Sequence, residues 1–307
     1  MKMMTIINNS HRNCVLKQIE GLVKYFESRG ASLTSEIKKG ENEEIIDIYL
    51  KDKEDKERIK RLLDYYIANV LYEVVIEEFI ARKLSKYLNE TYTFLNYKDL
   101  EIVRDDADKI LREEASLNET VIYCMNRKNR MIQKIIECIE EGASINVKGF
   151  LDFRFNELKN DIYACIEKIV EGYMLEKEYN EFISLLKYFV EVQDSKAERM
   201  DIFIGEKEGE YILRDQFGND MMESLISELC ENKNIIDISM DDLVISGLIT
   251  TCPNKIIIHS ASKCKNKELL NTIKSVFEGR VEFCEGCNQC SDLKEFIKVP
   301  VDTNIKI

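Results

Sequence analysis

The chain has 307 residues, of which 45% are hydrophobic and 33% are charged, a balance that excludes an intrinsically disordered protein. Its 44 basic and 57 acidic residues give a formal net charge of -13 at pH 7, which disfavours nucleic acid as a partner. No apolar run approaches the roughly 18 to 20 residues that cross a bilayer, so the sequence predicts no membrane span.

The N-terminal segment MKMMTIINNSHRN has too short an apolar stretch for a secretory signal, so we expect a cytoplasmic protein. The 10 cysteines should then be mostly reduced thiols. The chain has only 2 prolines, Pro253 and Pro300, so long uninterrupted helices are possible up to Thr251. A chain of this length predicts two or three domains.

Residues 1–52 predict a small N-terminal α/β element. Alternating apolar residues indicate strands, and an apolar spacing of three or four residues indicates a helix. The strands are predicted over residues 3–7, 32–37 and 43–50, and the helix over residues 14–28. A segment of this size buries too little surface to be stable alone, so we expect it to dock on the residues that follow.

Residues 53–195 predict a helical domain. Helical patterns run over residues 53–88 and 100–140, the second with a break and a cap near Ser116 or Asn118. Residues 148–193 predict two further helices in succession, each with one buried apolar stripe. The residues of these stripes are Leu158, Ile162, Cys165, Ile166, Ile169 and Met174, then Phe182, Leu185, Leu186 and Phe189.

Arg154 lies among aromatic residues at the start of this pattern. The flanking residues are Phe150, Phe153 and Phe155. Such a set can stack bases, but beside an apolar helix start in an acidic protein we interpret the phenylalanines as core anchors. A half-buried arginine needs a carboxylate partner. We therefore predict a structural ion pair between Arg154 and Glu178 on the following helix, with Glu176 and Glu181 as alternatives.

Residues 196–307 predict a C-terminal α/β domain, because the helical period ends around residues 192–199. A hairpin is predicted from residues 200–204 and 210–213. Beyond it the pattern predicts helices over residues 221–230 and 266–277 and strands over residues 255–259 and 280–284, while residues 240–249 fit either element. The strand–helix–strand order favours parallel pairing. The fold class is α+β, with a predominantly helical centre and small N-terminal and C-terminal α/β elements.

The sequence C-x-x-C-x-x-C follows the last predicted strand directly, at Cys284, Cys287 and Cys290. This spacing lets one turn point several thiolates at a single metal ion. The candidates for a fourth ligand are Cys252, His259 and Cys264. We predict Cys264, because it opens the helix that returns the chain to the strand before Cys284. The cofactor would be zinc or an iron–sulfur cluster. Structural zinc sites usually have two such cysteine turns, and only one is present here. The run also lacks the x3-C-P that completes the ferredoxin pattern of an iron–sulfur cluster. Ordinary reduced thiols are therefore the alternative.

No catalytic motif accompanies the cysteines. The chain lacks GxxxxGK[ST] and GxGxxG, and neither of its 2 histidines lies near a candidate nucleophile in sequence. The sequence therefore does not favour an enzyme. An enzyme would instead need a pocket that gathers His259 with Asp241 and Asp242.

Five segments follow one another along the chain: GFLDFRFNEL, EKEYNEFISLLKYFVEVQ, DDLVISGLIT, PNKIIIHS and VEFCEGCNQC. In order and spacing they resemble the YtxC-like family of sporulation proteins, and the resemblance covers most of the chain. It implies endospore formation as the cellular context and assigns no catalytic role to any residue. It favours a non-catalytic binding or assembly factor with a protein partner. The alternative is a metal-dependent enzyme or a metal- or redox-sensing module that uses the C-terminal cysteines.

Overall fold

The computed structural model describes residues 1–9, 12–28, 33–40, 43–51, 56–140, 142, 144–222, 224–226 and 239–290. The chain forms two compact units, Met1–Leu175 and Glu176–Ile307. Two mixed four-stranded sheets and a predominantly helical centre confirm the predicted α+β class. The division into domains at residues 1–52, 53–195 and 196–307 stays a prediction.

The first unit begins with a sheet of order β2-β3-β1-β4. The strands are β1 (Lys2–Asn8), β2 (Leu33–Lys39), β3 (Glu44–Leu50) and β4 (Ser144–Asn146), and helix α1 (Arg12–Ser28) connects the first two. β1 is antiparallel to β3 and parallel to β4. The predicted strands and helix of the N-terminal element are therefore confirmed, and β4 adds an edge strand from further along the chain.

A layer of helices completes the first unit. The helices are α2 (Lys56–Phe79), a π-helical turn (Ile80–Leu84), α3 (Ser85–Thr91), α4 (Tyr97–Leu111) and α5 (Glu119–Glu140). The predicted cap near residue 118 is confirmed, because the Asn118 side chain accepts a hydrogen bond from the Val121 amide. The break begins earlier than predicted, at the end of α4, where Glu113 has a left-handed φ of 63°.

Residues 147–192 form one helix, α6 (Val147–Val192), which contributes to both units. The prediction of two successive helices is wrong. The segment contains no proline, and its internal Gly172 weakens a helix by only about 1 kcal/mol relative to alanine, too little to end it. The stripe predicted for its first half is confirmed by the buried residues Leu158, Ile162, Cys165, Ile166 and Ile169.

The second half of α6 buries a stripe that shares only Leu186 with the one predicted. Ile183, Leu186 and Val190 are buried in the second unit. The predicted core residues Phe182, Leu185 and Phe189 are exposed instead. Both sets recur at helical spacing, so only the docking of the helix decides which of them is buried.

Arg154 pairs within its own helix. Its Nη1 donates a hydrogen bond to Glu157 Oε1 at 2.8 Å. The predicted partner Glu178 lies further along the same helix and not on a second, facing helix. Both side chains of the observed pair are more than a third exposed, so the pair contributes about 0 to 1 kcal/mol. The core-anchor interpretation holds for buried Phe150 and Phe155 but not for exposed Phe153.

The second unit has a sheet of order β6-β5-β7-β8. Its elements are β5 (Arg199–Ile204), β6 (Tyr211–Asp215), α7 (Met240–Thr251), β7 (Lys255–His259), α8 (Lys267–Val276) and β8 (Val281–Phe283). The hairpin and the parallel pairing of β7 with β8 are as predicted. β5 is also parallel to β7, and the ambiguous residues 240–249 are helical. Residues 222 and 224–226 are helical, and the rest of the predicted helix over residues 221–230 lies outside the described residues.

The two faces of this sheet differ in composition. Met200, Ile202, Ile256 and Ile258 point into the hydrophobic core of the unit. Alternation along each strand sends the residues between them to the opposite face. Asp201 on β5 and His259 on β7 therefore share the face that does not carry this core. Both are buried.

Asp64 is a buried carboxyl group on α2, and its Oδ1 has no hydrogen-bond partner among the described residues. Burial, with a smaller contribution from Glu140, raises its pKa against the opposing effect of Lys60. A raised folded-state pKa contributes stability that is present below the unfolded pKa and is lost as the pH rises through the folded value.

We therefore expect Asp64→Asn to raise the free energy of unfolding by about 1 kcal/mol at pH 7, with the gain shrinking toward pH 4. Urea denaturation of the wild type and the variant across this pH range measures the difference. Asp105→Asn, at an exposed position on α4, is the control. A gain that is constant with pH would contradict the explanation.

Candidate metal centre

Four side chains in the second unit point at one place. His259, Cys284, Cys287 and Cys290 each offer one ligand atom, and these atoms all lie within 4.8 Å of one another. His259 is buried, and the three cysteines are partly buried. Among the described residues this is the one group of its kind.

Four of the six distances within the group fit a tetrahedron around a single ion. Cys290 Sγ lies 3.9 Å from Cys284 Sγ and 3.6 Å from Cys287 Sγ. His259 Nδ1 lies 3.5 Å from Cys287 Sγ and 3.4 Å from Cys290 Sγ. Tetrahedral zinc, with bonds of about 2.3 Å to sulfur and 2.0 to 2.1 Å to nitrogen, requires about 3.8 Å between sulfurs and about 3.5 Å between sulfur and nitrogen.

Parallel strands bring these residues together. β7 ends at His259 and β8 ends at Phe283, one residue before Cys284. The two strands are parallel neighbours, so their carboxyl ends lie at the same edge of the sheet. The Cys284 amide donates to the Ile258 carbonyl at 2.9 Å, which continues the ladder and fixes the first thiol beside the histidine.

The turn after β8 directs the other two thiols. The Gly286 amide lies 3.4 Å from Cys284 Sγ, and Gly286 adopts a φ of +127°, which an L side chain rarely adopts. The Cys290 amide donates to the Cys287 carbonyl at 3.1 Å and closes a second turn. Backbone amides that face sulfur favour thiolates, the form that binds metal.

Asp201 contacts the ring nitrogen of His259 that faces away from the thiols. Its Nε2 lies 3.1 Å from Asp201 Oδ1, and Arg199 Nε donates to Asp201 Oδ2 at 2.9 Å. The ring of Phe203 stacks on the imidazole with centroids 4.2 Å apart and planes 16° apart. A carboxylate only accepts, so Nε2 carries a hydrogen, and Nδ1 is the ring nitrogen that faces the thiols and could bind a metal ion. Such a carboxylate–histidine pair is the usual support of a metal-binding histidine.

The thiols differ in acidity. Burial opposes ionisation of Cys290, but the Cys287 backbone, His259 and the neighbouring thiols outweigh it and lower the pKa of Cys290 to about 6. The Gly286 amide favours the Cys284 thiolate, but burial and the neighbouring Cys287 and Cys290 thiols outweigh it and raise the pKa of Cys284. Of these two thiols, Cys290 is therefore the one whose surroundings favour the thiolate, the form that binds metal.

The structure places the other candidate ligands elsewhere. Cys264 is buried in the core of the unit, with Sγ 3.1 Å from the Asn266 carbonyl. Cys252 is buried in the same core, with Sγ 3.2 Å from the Val190 carbonyl. The geometry thus favours His259 over Cys264 as the fourth ligand.

The acids considered for an enzyme have other contacts. The Asp242 carboxylate accepts a hydrogen bond from the Ser239 hydroxyl. The Asp242 amide donates to the Ser239 oxygen and so completes the N-terminal cap of α7. Asp241 Oδ2 accepts from Asn266 Nδ2 at 2.7 Å. The acid that contacts His259 is Asp201, which the sequence analysis did not single out. The available signal was a lone carboxylate inside the apolar strand RMDIFI.

A comparison with known protein families covers part of this site. The sequence profile of the YtxC-like family matches residues 65–282, more than two thirds of the chain. The chain belongs to the YtxC-like family. The matched residues include Asp201 and His259, and they end two residues before Cys284.

A curated relative carries the same family label. The Bacillus subtilis (strain 168) protein named "Uncharacterized protein YtxC" is 21% identical to this YtxC-like chain over 223 residues, which cover 70% of this chain and 76% of the relative. No solved structure matches the chain. Among the described residues, no helix combines the length and the apolar character required to cross a bilayer.

Proposed function

We propose that this YtxC-like protein is a non-catalytic binding or assembly factor whose C-terminal unit is stabilised by one zinc ion. The observation that carries the proposal is the convergence of three thiols and an imidazole supported by Asp201, whose ligand atoms all lie within 4.8 Å of one another. The ligands would be Cys284, Cys287, Cys290 and His259. When bound, zinc would join the end of β7 to the segment after β8.

The spacing of the thiols favours a single ion over a cluster. In an iron–sulfur cluster four protein ligands are shared among the irons, one or two for each, so three ligand sulfurs are not gathered around one metal atom. Here two thiol pairs lie only 3.6 and 3.9 Å apart. Three thiolates and one imidazole suit zinc, which accepts both donors in a tetrahedron.

The number of protein ligands favours a structural role. Catalytic zinc sites keep a position open for water or substrate, whereas structural sites are closed by four protein side chains. The four candidate ligands would fill the tetrahedron. The His259–Asp201 pair is then used to orient a ligand and does not supply a general base.

The sporulation context rests on the resemblance of the chain to the YtxC-like family. A binding or assembly role in the cytoplasm, with a protein partner, agrees with a closed metal site and an acidic chain. A redox-sensing module is the second candidate, because Cys287 and Cys290 are partly exposed and their sulfurs lie 3.6 Å apart. Oxidation of this pair to a disulfide would remove two ligands.

The experiment is metal analysis of protein purified without oxygen. We expect about one zinc per chain in the wild type, lost in Cys287→Ser and in His259→Ala. Cys264→Ala is the matched control, because Cys264 lies in the core and not among the four ligands. Cobalt titration adds a second readout, since thiolate-to-cobalt absorption reports the sulfur ligands.

Two results would contradict the proposal. A wild type that takes up no zinc, even after reduction and addition of the ion, excludes the metal centre. Loss of zinc in Cys264→Ala but not in His259→Ala would show that the ligand set is the one predicted from sequence and not the one that this geometry favours.

A further inference from the structure

The C-terminal part of α6 carries a second apolar stripe, distinct from the one in the core. The outer stripe consists of Phe182, Leu185, Phe189 and Val192, whose side chains are between 42% and 60% exposed. On the same helix, the buried stripe of the second unit packs into its core. Exposed apolar side chains are ordinary when scattered, but a contiguous row marks an interaction surface.

The spacing of the outer stripe is that of a coiled-coil seam. Its members follow one another at intervals of three, four and three residues. These are the intervals of the a and d positions of a heptad, which pack as knobs into the holes of a facing helix. All four of these positions are apolar. The surface therefore suits another helix with the same spacing.

We propose that the outer stripe is the contact between two copies of this chain, paired as antiparallel helices. In an antiparallel pair each a position packs against a d position of the other helix. A twofold axis beside Lys187 places Phe182 opposite Val192 and Leu185 opposite Phe189. The same surface then serves both copies, as a twofold dimer requires.

The charges beside the stripe select the antiparallel direction. Glu178 and Glu181 are exposed at the N-terminal end of the stripe. A parallel pair would set each of these acids against its own copy and would be destabilised by the repulsion. The antiparallel pair places Glu178 and Glu181 of one copy at the opposite end of the contact from the same residues of the other copy.

The available area is sufficient for a dimer. Tyr188 flanks the stripe and is also exposed, which gives five large apolar side chains on one surface. At about 100 Å² for each half-exposed side chain, one copy would bury about 500 Å² and the pair about 1,000 Å², which reaches the roughly 1,000 Å² of a specific interface.

The test uses the full chain and two charged variants, Leu185→Glu and Phe189→Lys. Sedimentation velocity over a concentration series should show a wild-type dimer, and each variant should weaken dimerisation by at least about tenfold. Both substitutions are at exposed positions, so circular dichroism and thermal unfolding should match the wild type. Phe153→Glu, at an exposed position on the same helix, is the control and should dimerise normally.

Mixing the variants tests the antiparallel direction. Antiparallel pairing sets Glu at position 185 of one variant against Lys at position 189 of the other, so an equimolar mixture should recover dimers that neither variant forms alone. A parallel pair gives no such match. A monomeric wild type at up to about 100 µM, dimers that persist in both variants, or no recovery in the mixture would each overturn the proposal. The experiment is independent of the metal centre, because both variants should keep the zinc content of the wild type.

Discussion

Removing zinc from the wild-type protein with a chelator is expected to lower its midpoint of thermal unfolding by roughly 10 °C, and returning zinc should restore it. A ligand that binds only the folded state stabilises it by about 4 kcal/mol when it is present at a thousandfold excess over its Kd. In a domain of this size each kcal/mol corresponds to about 2 to 8 °C. The measurement is a thermal scan of the metal-free and zinc-loaded protein under reducing conditions.

The variants give this experiment its specificity. Cys287→Ser should show no change in the midpoint when zinc is added, because one corner of the tetrahedron is gone. Cys264→Ala should respond to zinc like the wild type, since its thiol contacts the Asn266 carbonyl in the core. Equal midpoints for the metal-free and zinc-loaded wild type would show that the four side chains do not use zinc for stability.

Hydrogen exchange can locate the gain in stability. The amides of Gly286 and Cys290 contact the Cys284 thiol and the Cys287 carbonyl within the turn that would enclose the ion. Zinc should slow exchange at these amides and at the end of β8, because opening this turn would break the coordination. An unchanged exchange rate there, with slower exchange elsewhere, would place the zinc effect outside this centre.

Much of the second unit could be predicted from its sequence. The runs MDIFI and KIIIH combine apolar residues with turn signals on both sides, and the predicted hairpin and parallel pairing are present. The three cysteines lie close in sequence, so their convergence needs only one local turn. Local patterns of this kind do not depend on how distant segments pack.

The fourth ligand could not be predicted from the same patterns. In KIIIH three consecutive isoleucines conceal the alternation that would show which face His259 occupies. Cys264 looked suitable because it follows β7 and precedes a helix, yet its side chain turns into the core. The choice between these two residues depends on the face of the sheet, and that face is set by the docking of α7 and α8.

The long helix α6 shows the same limit in the second unit but not in the first. Apolar residues at helical spacing predicted its stripe near Ile162 and Ile166, where both are buried. Further along, two apolar stripes are present on one helix, and periodicity cannot tell the buried one from the exposed one. Apolar residues are usually buried in the core, but the outer stripe is exposed in the single chain and can contact another protein surface.

Replacing Asp161 with alanine is expected to be the most destabilising single change in the first unit outside its apolar core. Asp161 is a buried residue of α6, and its two carboxylate oxygens contact two cations of α5. Arg127 Nη1 lies 2.9 Å from Oδ1, and Lys134 Nζ lies 2.6 Å from Oδ2. The substitution would leave both partly exposed cations without their common carboxylate partner.

We expect a loss of about 2 to 3 kcal/mol in the free energy of unfolding, measured by urea denaturation at pH 7. Breaking a buried pair costs about 3 to 5 kcal/mol, and the partial exposure of Arg127 and Lys134 lets water recover some of this. Glu171→Ala is the control. Glu171 pairs with Lys168 on the same helix, but its side chain is 55% exposed, so its removal should cost less than about 0.5 kcal/mol.

The dependence on pH separates the ion pair from simple packing. Burial opposes ionisation of Asp161, but Lys134 and Arg127 outweigh it and lower its pKa. A lowered folded-state pKa contributes stability that is present above the unfolded pKa and is lost as the pH falls through the folded value. The difference between the wild type and Asp161→Ala should therefore be largest at neutral pH and should shrink below about pH 4. A difference that stays the same down to pH 2 would show that Asp161 stabilises the α5–α6 contact by its shape and not by its charge.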